Sequence, residues 1–258
     1  MNPNPDLQAV AAALLAARSG GPLPDADACA AAIQDAAAAY AIQDLVLQGL
    51  GDDPERCPAW KSGGPSRSAT LTHAALPSAG MLASGADASH MAFNHRMVEA
   101  EVALRLGRDV SPDMASALGD GNYHQALELV DGMAVSIELV DTRWAQGFAV
   151  PPLLKLADAQ CHGALVLAAF QPWHERDWGK QACEVWVGDA SNSFVGTHSL
   201  GHPAWLLPTW LKHATRNGAA VPAGTVVTTG TWCGLLAAAP GDRVEVKFEG
   251  IGEASVQL

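Results

Sequence analysis

The sequence is short of basic residues, and this shortage excludes one class of partners. Fifteen Lys and Arg stand against 27 Asp and Glu in 258 residues, so the formal net charge is -12 at pH 7 with His neutral. Proteins that bind nucleic acid neutralise its phosphates with clustered Lys and Arg. The sequence has no such cluster, and we therefore expect no nucleic-acid partner.

Long apolar runs are also missing, although 49% of the residues are hydrophobic. Every uninterrupted apolar run is far shorter than the ~20 residues that cross a bilayer. Residues 9–17 have the length of a signal-peptide core, but the preceding residues contain Asp6 and neither Lys nor Arg. We interpret this run as an alanine-rich helix of a soluble protein that has no membrane partner.

The cysteines provide neither a metal-thiolate motif nor a disulfide framework. They are odd in number, widely spaced and without a CxxC pair: Cys29, Cys57, Cys161, Cys183 and Cys233. This pattern is typical of reduced thiols and favours a cytoplasmic location. The glycines form no GxGxxG or P-loop after a strand, so no nucleotide cofactor is indicated.

The chain divides into a helical segment, residues 1–55, and a β-rich catalytic domain, residues 56–258. The first segment is rich in Ala, Leu and Gln, and a break at residues 19–22 predicts two helices, the second beginning at Asp25 or Asp27 and ending near Leu50. Alternating apolar segments between turn residues then predict strands. The predicted strands are 97–106, 133–140, 164–170, 182–187, 225–229, 243–248 and 253–258, and a helix is predicted after Pro203. Turn residues at 240–242 and 250–252 are expected to join the last strands as antiparallel neighbours.

Two glutamates share one face of the first predicted strand. Residues 97–106 alternate apolar and other side chains, so Glu99 and Glu101 project in the same direction about 7 Å apart. Two such carboxylates repel each other unless a cation lies between them or one is protonated. Oxygen ligands suit Mg²⁺ or Mn²⁺. The alternative is an acidic strand edge in solvent.

A third glutamate lies in a strand that is otherwise almost wholly apolar. Such a strand is buried on both faces, so Glu138 needs a compensating partner. A metal ion shared with Glu99 and Glu101 would supply one, and an ion pair with Arg143 would supply another.

Three passages, in this order along the chain, resemble the fumarylacetoacetate hydrolase superfamily and, within it, the branch of 2-keto-4-pentenoate hydratase and 4-oxalocrotonate decarboxylase. They are the E-x-E strand at 99–101, SIELVDTRW at 136–144, and the ending from residue 223 with its threonine-glycine-threonine loop, proline-glycine-aspartate turn and final hairpin. The resemblance covers roughly residues 55–258. It implies an α+β fold, a mixed β-roll or sandwich of the fumarylacetoacetate hydrolase C-terminal type, preceded by the helical segment.

The resemblance also implies the chemistry of the site. Glu99, Glu101 and Glu138 would bind Mg²⁺ or Mn²⁺, and the metal would chelate the 2-oxo acid end of a small-molecule substrate. Lys61 would stabilise negative charge or move a proton, and Asp158 would form an active-site hydrogen bond. The loop Thr229-Gly230-Thr231 would bind the substrate carboxylate.

Members of this branch act in aromatic catabolism, and the resemblance implies a hydratase that adds water to an unsaturated 2-oxo acid. Decarboxylation of a 2-oxo-dioate and hydrolysis of an acylpyruvate are alternatives in the same superfamily, and a non-catalytic assembly partner is an alternative of another class. The chain is expected to form a homo-oligomer, and a complex with a related decarboxylase is an alternative assembly. Two departures concern the distal end of the substrate: the lysine loop continues as Gly63-Gly64-Pro65-Ser66, and Ala159 replaces an asparagine.

Two histidine patterns suggest chemistry that the surrounding residues do not support. His198 and His202 have the spacing of a helical metal pair, but Gly201 and Pro203 interrupt the helix, and we interpret His202 as the start of the helix after it. Hydrolases of the superfamily use a histidine-glutamate dyad on a lid. His73 falls in the corresponding loop without a glutamate beside it, which favours the hydratase over the hydrolase.

Overall fold

A computed structural model describes residues 5–258 of the chain. Within this range the α-helices are α1 Pro5–Arg18, α2 Ala26–Ala30, α3 Ala36–Gly49, α4 Pro112–Ala117, α5 Tyr123–Leu127, α6 Pro152–Ala157 and α7 Leu207–Ala214. The strands are β1 Ala59–Gly63, β2 Thr72–Ala75, β3 Met81–Ala83, β4 Ala86–Asp87, β5 Met97–Leu106, β6 Val130–Val140, β7 His162–Leu167, β8 Gln171–Pro172, β9 Ala182–Val187, β10 Ala190–Val195, β11 Val226–Thr228, β12 Leu236–Ala237, β13 Arg243–Phe248 and β14 Gly252–Gln257.

The helical segment contains three helices, and the prediction of two was wrong. Asp25 does cap a helix, since its side chain accepts a hydrogen bond from the backbone N–H of Asp27, but α2 ends after five residues. Asp35 then begins α3 by accepting a hydrogen bond of 2.8 Å from the N–H of Ala38. Alanines on both sides of this break conceal it, because they favour a helix throughout.

The first sheet contains the strands that carry the glutamates. Its order is β2-β1-β11-β5-β6-β7-β3, with β12 paired to β5 and β8 paired to β6. The pairs β1–β11 and β3–β7 are parallel, whereas β5–β6 and β6–β7 are antiparallel. From Gly132 to Val140 every residue of β6 is buried, as its apolar sequence predicted.

The second sheet has the order β10-β9-β13-β14-β4. Along β13 buried and exposed residues alternate, and Val244, Val246 and Phe248 are buried in a core shared with β5, β6 and β7. The two sheets therefore form a sandwich, which confirms the predicted α+β fold. Gly250 and Gly252 lie in the turn between the antiparallel strands β13 and β14, as predicted.

One turn was interpreted wrongly. Residues 240–242 were expected to join antiparallel neighbours, but the turn leads from β12, paired to β5 in the first sheet, to β13 in the second. The helix after Pro203 is confirmed, since a 3-10 turn, Pro203–Leu206, leads directly into α7.

The helical segment packs against α6, next to the first sheet. Apolar residues of α1 and α3 share a core cluster with Trp144 and with Leu154 and Leu156 of α6. The Trp144 indole donates a hydrogen bond of 2.9 Å to the carbonyl of Leu154, and the Gln43 amide donates one of 2.6 Å to that of Leu156. These bonds hold α6 against the sheet. The division of the chain at residues 55 and 56 stays a prediction.

In the part of the chain from residue 5 onward, no helix is both long enough and apolar enough to span a membrane.

Candidate metal centre and active site

The pairing of β5 with β6 brings the three predicted glutamates together. Glu99 lies directly opposite Glu138, and Glu101 lies opposite Ser136, one pair further along the same face. Each glutamate offers a carboxylate oxygen, and these three oxygens lie within 4.8 Å of one another. Glu101 and Glu138 are buried, whereas Glu99 is partly exposed. The three side chains therefore form one cluster rather than an acidic strand edge in solvent.

Glu138 has two positively polarised neighbours on one of its oxygens. Lys61 Nζ donates a hydrogen bond of 2.6 Å to Oε1, and His162 Nδ1 donates one of 2.9 Å to the same atom. Oε2 is buried and has no hydrogen-bond partner within residues 5–258. A buried carboxylate oxygen without a donor is costly unless a cation binds it. The free oxygen of Glu138 is thus suited to a metal ion.

The predicted alternative partner of Glu138 was wrong. Arg143 pairs with Asp158 instead, with Nε 2.6 Å from Oδ1. Sequence reasoning also overlooked His162, which is fully buried at the start of β7. A histidine at the beginning of an apolar strand was the available signal, but its distance from Glu138 depends on the pairing of β6 with β7.

Glu101 is held in place by the loop after β11. Its Oε2 accepts a hydrogen bond of 2.9 Å from the N–H of Gly230 and another from the hydroxyl of Thr228. Gly230 has a φ of +104°, a backbone conformation that is strained for residues with a side chain. Because glycine adopts it readily, the N–H of Gly230 can reach the carboxylate of Glu101. His198 Nε2 donates a hydrogen bond of 2.8 Å to the carbonyl of Thr229 and thereby supports this loop.

The predicted role of His202 agrees with the structure, whereas the sequence predicted none for His198. His198 supports the loop at Thr229, and His202 precedes the 3-10 turn at Pro203, where its Nδ1 accepts a hydrogen bond of 3.0 Å from the N–H of Ala204. His73, which we expected in a lid loop, lies instead on β2. It is buried, and its Nδ1 is 2.8 Å from the hydroxyl of Ser62.

Burial and the neighbouring charges shift the pKa values of the three glutamates and of Lys61. Burial, together with the neighbouring carboxylates, raises the pKa of Glu99 to about 8 and that of Glu101 to about 7, although Lys61 acts in the opposite direction. Burial also disfavours the charged form of Glu138, but Lys61 and His162 outweigh it and lower its pKa. Burial alone would lower the pKa of Lys61, but Glu138, Glu99 and Glu101 together raise it above the ordinary value. A divalent cation among these carboxylates would act like an added positive charge and favour their ionised forms.

A cavity of about 350 Å³ opens onto this cluster. Its polar wall includes Lys61, Glu99 and Glu101. The loop after β11 contributes Gly230 and Thr231, which we predicted to bind substrate. Thr229, the third member of that prediction, is fully buried, and its hydroxyl donates a hydrogen bond of 2.7 Å to the carbonyl of Val102. Thr229 therefore supports the loop and does not face the cavity.

Asp158 lies behind the wall of the cavity and holds a strained turn. Arg143 donates hydrogen bonds to the carboxylate of Asp158, to its carbonyl and to the carbonyl of His162, so it binds both ends of residues 159–161. Those three residues have positive φ angles of 48°, 54° and 62°, which non-glycine residues adopt at a cost. This placement supports a positioning role for Asp158 rather than the direct hydrogen bond we expected.

The strained turn also supplies a cavity residue that sequence reasoning overlooked. Gln160 lines the cavity, its carbonyl accepts a hydrogen bond of 3.2 Å from Lys61 Nζ, and its side-chain Oε1 is buried without a partner in the described chain. The sequence has Ala159 where an asparagine was expected. In the structure an amide residue, Gln160, lines the wall one position later. The sequence does not reveal this, because no local pattern predicts the left-handed backbone of residues 159–161.

Comparison with known proteins agrees with this architecture. The sequence pattern of the family described as fumarylacetoacetate (FAA) hydrolase C-terminal matches residues 74–258, well over half of the chain. The chain belongs to the fumarylacetoacetate hydrolase family. This membership confirms the resemblance carried by the E-x-E strand, residues 136–144 and the C-terminal hairpin.

Within the fumarylacetoacetate hydrolase family, two kinds of relative are similar in sequence. The chain is 32% identical over 162 residues to 2-keto-4-pentenoate hydratase 1 of Dechloromonas aromatica (strain RCB), covering 61% of this chain and 58% of the relative. It is 24% identical over 168 residues to 4-oxalocrotonate decarboxylase of Pseudomonas putida, covering 64% of this chain and 60% of the relative. The alignments thus span less than two thirds of either relative.

The fold is similar over nearly the whole chain to a solved member of the family. 4-Oxalocrotonate decarboxylase from Pseudomonas putida G7, complexed with calcium and acetate, has a TM-score of 0.81 and 18% identity, covering 98% of this chain and 96% of that one. The same enzyme complexed with magnesium and adipate also has a TM-score of 0.81, with 97% and 96% coverage. At this identity the match establishes the fold, including its helical segment.

Proposed function

We propose that the protein is a divalent-metal-dependent lyase, a hydratase that adds water to an unsaturated 2-oxo acid formed from a 2-hydroxy-dienoate. The observation that carries the proposal is the cluster of Glu99, Glu101 and Glu138 beside a cavity, with the buried Oε2 of Glu138 unpartnered among the described residues. An all-oxygen donor set suits a hard divalent cation, Mg²⁺ or Mn²⁺. The magnesium and calcium complexes of the similar decarboxylase support this choice.

The metal would be held by the three glutamates and would polarise the 2-oxo acid end of the substrate, which stabilises the charge of the enolate form. Hydrogen-bond donors of the protein fix the orientation of two of these three glutamates. Lys61 and His162 orient Glu138, and Gly230 with Thr228 orients Glu101. Donors of this kind hold carboxylate ligands in one geometry.

Lys61 is placed to act on the substrate as well as on Glu138. An ammonium group has three N–H donors, of which one binds Glu138 and one binds the carbonyl of Gln160. Lys61 also lines the cavity, so its third donor can stabilise negative charge on a bound enolate or deliver a proton to it. Its charge is sustained by the neighbouring glutamates.

Two further groups on the wall are suited to water and carboxylate. The buried Oε1 of Gln160 has no partner in the described chain and can accept a hydrogen bond from a water molecule in the cavity. Thr231 lies on the wall beside Gly230, where its backbone N–H can orient the substrate carboxylate. Its hydroxyl donates a hydrogen bond of 3.1 Å to the carbonyl of Gly234, which fixes the shape of the loop.

Direct assays distinguish hydratase from decarboxylase activity. We expect wild-type protein with Mg²⁺ or Mn²⁺ to consume 2-hydroxypenta-2,4-dienoate or its carboxylated analogue with incorporation of water, detected by mass spectrometry, and without release of CO₂. Release of CO₂ from a 2-oxo-dioate would establish decarboxylation, the activity of the second relative. Cleavage of an acylpyruvate without hydration of either dienoate would refute the hydratase proposal in favour of a hydrolase.

A metal titration tests whether the protein is instead a non-catalytic assembly partner. We expect wild type to bind Mn²⁺, and Glu101→Gln to bind it at least about tenfold more weakly, because an amide is a weaker ligand than a carboxylate. Glu253→Gln is the matched control, since Glu253 is exposed in the second sheet. If wild type binds no Mn²⁺ at millimolar concentration, the protein is the assembly partner.

We also propose that the protein forms a homo-oligomer, with a complex with a related decarboxylase as the alternative assembly. The observation in support is β10, an edge strand of the second sheet whose Val195 is 61% exposed. Such an edge offers unpaired backbone groups and apolar area to another subunit. Sedimentation velocity should give more than one subunit, and a monomer at micromolar concentration would contradict the proposal.

A further inference from the structure

Lys155 is a basic residue on the cavity wall that has no partner. It is half-buried on α6, and within residues 5–258 its side chain makes no hydrogen bond, ion pair or aromatic contact. The other basic side chains that are not fully exposed each make at least one such contact: Arg18, Lys61, Arg96, Arg105, Arg143, Arg176 and Lys212. Among residues 5–258, Lys155 is thus the one basic side chain short of full exposure that makes no contact of these kinds, in a chain with a net charge of -12.

The backbone fixes Lys155 at this position. The residues on either side, Leu154 and Leu156, are buried, and their carbonyls accept hydrogen bonds from Trp144 and Gln43. The helix that carries Lys155 is thus anchored to the rest of the protein at both neighbouring residues. A cation on an anchored helix requires little reorganisation when an anion binds.

The surroundings of Lys155 differ from those of Lys61. Lys61 is paired with Glu138 at the glutamate cluster, whereas Lys155 pairs with neither Glu99 nor Glu101 although all of them line the same cavity. The wall also includes the apolar side chains of Val140, Phe148 and Leu235. A ligand that fills this cavity would therefore meet the carboxylates with Lys61, apolar side chains and an ammonium group that is paired with none of them.

We propose that Lys155 binds a second carboxylate at the distal end of the substrate and so makes the site prefer dicarboxylates over monocarboxylates of equal length. The inference rests on the proposed function, because it assigns the 2-oxo acid end to the three glutamates. The cavity volume of about 350 Å³ falls within the range of small-molecule sites. A charge-assisted pair with Lys155 would then determine specificity without taking part in the chemistry.

Binding of two unreactive 2-oxo acids tests the inference. The probes are 2-oxoadipate, a dicarboxylate, and 2-oxohexanoate, a monocarboxylate of equal chain length, titrated by calorimetry into protein saturated with Mn²⁺. We expect wild type to bind 2-oxoadipate about 10- to 100-fold more tightly, the range expected for a hydrogen bond to a charged group. Lys155→Met should lose this preference, while its affinity for 2-oxohexanoate stays within about twofold of wild type.

Two further variants make the result specific to this position. Lys155→Arg retains the charge and should retain most of the preference, and Lys155→Gln is a second neutral variant in case the methionine disturbs packing. Lys247→Met is the matched control, because Lys247 also has no partner in the described chain but lies exposed on the second sheet. It should behave as wild type.

The outcomes separate the inference from the function on which it rests. Equal affinity of wild type for the two probes, or an undiminished preference in both neutral variants, would overturn the role of Lys155 and leave the metal-dependent lyase intact. Binding of neither probe in the presence of Mn²⁺ would refute the proposed function, and the role of Lys155 with it.

Discussion

Lys61 and Glu138 belong to strands that are separated by two others, and yet Nζ and Oε1 are 2.6 Å apart. In a flat sheet, three steps of about 4.8 Å would place the two backbones ~14 Å apart. Long side chains on a curled sheet close this gap. The curl therefore brings the lysine of β1 onto the glutamate of β6, and this contact connects the glutamate cluster to the wall of the cavity.

Replacing Lys61 should affect both stability and catalysis. In Lys61→Met the buried Glu138 keeps only His162 as a hydrogen-bond donor and loses its positively charged partner. We therefore expect the free energy of unfolding to fall by about 3 kcal/mol. Turnover should fall by about 100-fold or more, because the donor to the enolate is lost. Urea unfolding and steady-state kinetics measure the two effects.

Lys212 provides the matched control for this prediction. Its Nζ also lies 2.6 Å from a carboxylate oxygen, that of Asp120, but the Asp120 side chain is 89% exposed. Lys212→Met should cost less than about 1 kcal/mol, since exposed ion pairs contribute little. Equal losses in the two variants would contradict the buried role of Lys61.

The pair of Arg143 and Asp158 should be important for folding. Asp158→Asn leaves Arg143 buried without its counter-charge and weakens the contacts that stabilise the strained turn at residues 159–161. We therefore expect the free energy of unfolding to fall by about 3 kcal/mol. Asp177→Asn, which removes an exposed pair with Lys180, should cost less than about 1 kcal/mol. If the two variants are equally stable, the turn does not depend on Asp158.

Metal affinity should increase with pH. Without metal the pKa of Glu99 is raised to about 8 and that of Glu101 to about 7, chiefly by burial. Protons therefore compete with the metal below these values, and affinity should fall as the pH decreases from 8 to 6. Calorimetric titration of Mn²⁺ at several pH values measures this. In Glu99→Gln one competing proton is absent and the dependence should be shallower, whereas equal slopes would contradict the assignment.

Two stacked histidines should make the fold acid-sensitive. The rings of His73 and His213 lie 4.8 Å apart. Burial, together with Arg216, lowers the pKa of His73 to about 3, and burial, together with His73 and Arg216, lowers that of His213 to about 2. An unfolded histidine binds a proton below about pH 6.5. The unfolded state thus binds more protons between pH 6.5 and 3, so stability is complete above this window and is lost as the pH falls through it.

A variant without the titrating ring tests this prediction. His213→Phe retains the stacking, and His213 Nε2 has no partner to lose among the described residues. Below pH 6 the decline in unfolding free energy should become shallower by up to about 1.4 kcal/mol per pH unit. His90→Gln, at an exposed position, should leave the slope unchanged. An unchanged slope in His213→Phe would show that His213 is protonated in the folded state.

Periodicity alone was enough to find the three glutamates. Alternation in residues 97–106 places Glu99 and Glu101 on one face, and the apolar run around Glu138 requires that this carboxylate be buried with a partner. The predicted bounds of β5, β9 and β13 are confirmed residue for residue, because their alternating patterns are uninterrupted. The break between α2 and α3 was not found, because alanine favours a helix on both sides of it.

The amino-acid sequence by itself determined that Glu99 and Glu101 share one face and that Glu138 is buried, since a period of two and a lack of neighbouring polar residues are local properties. The tertiary structure alone decided which cations meet them. Lys61 rather than Arg143 binds Glu138, because the order β1-β11-β5-β6 and the curl of the sheet join residues 77 positions apart. Arg143 is closer in sequence, but it is held by Asp158 across a turn of left-handed residues that no local pattern predicted.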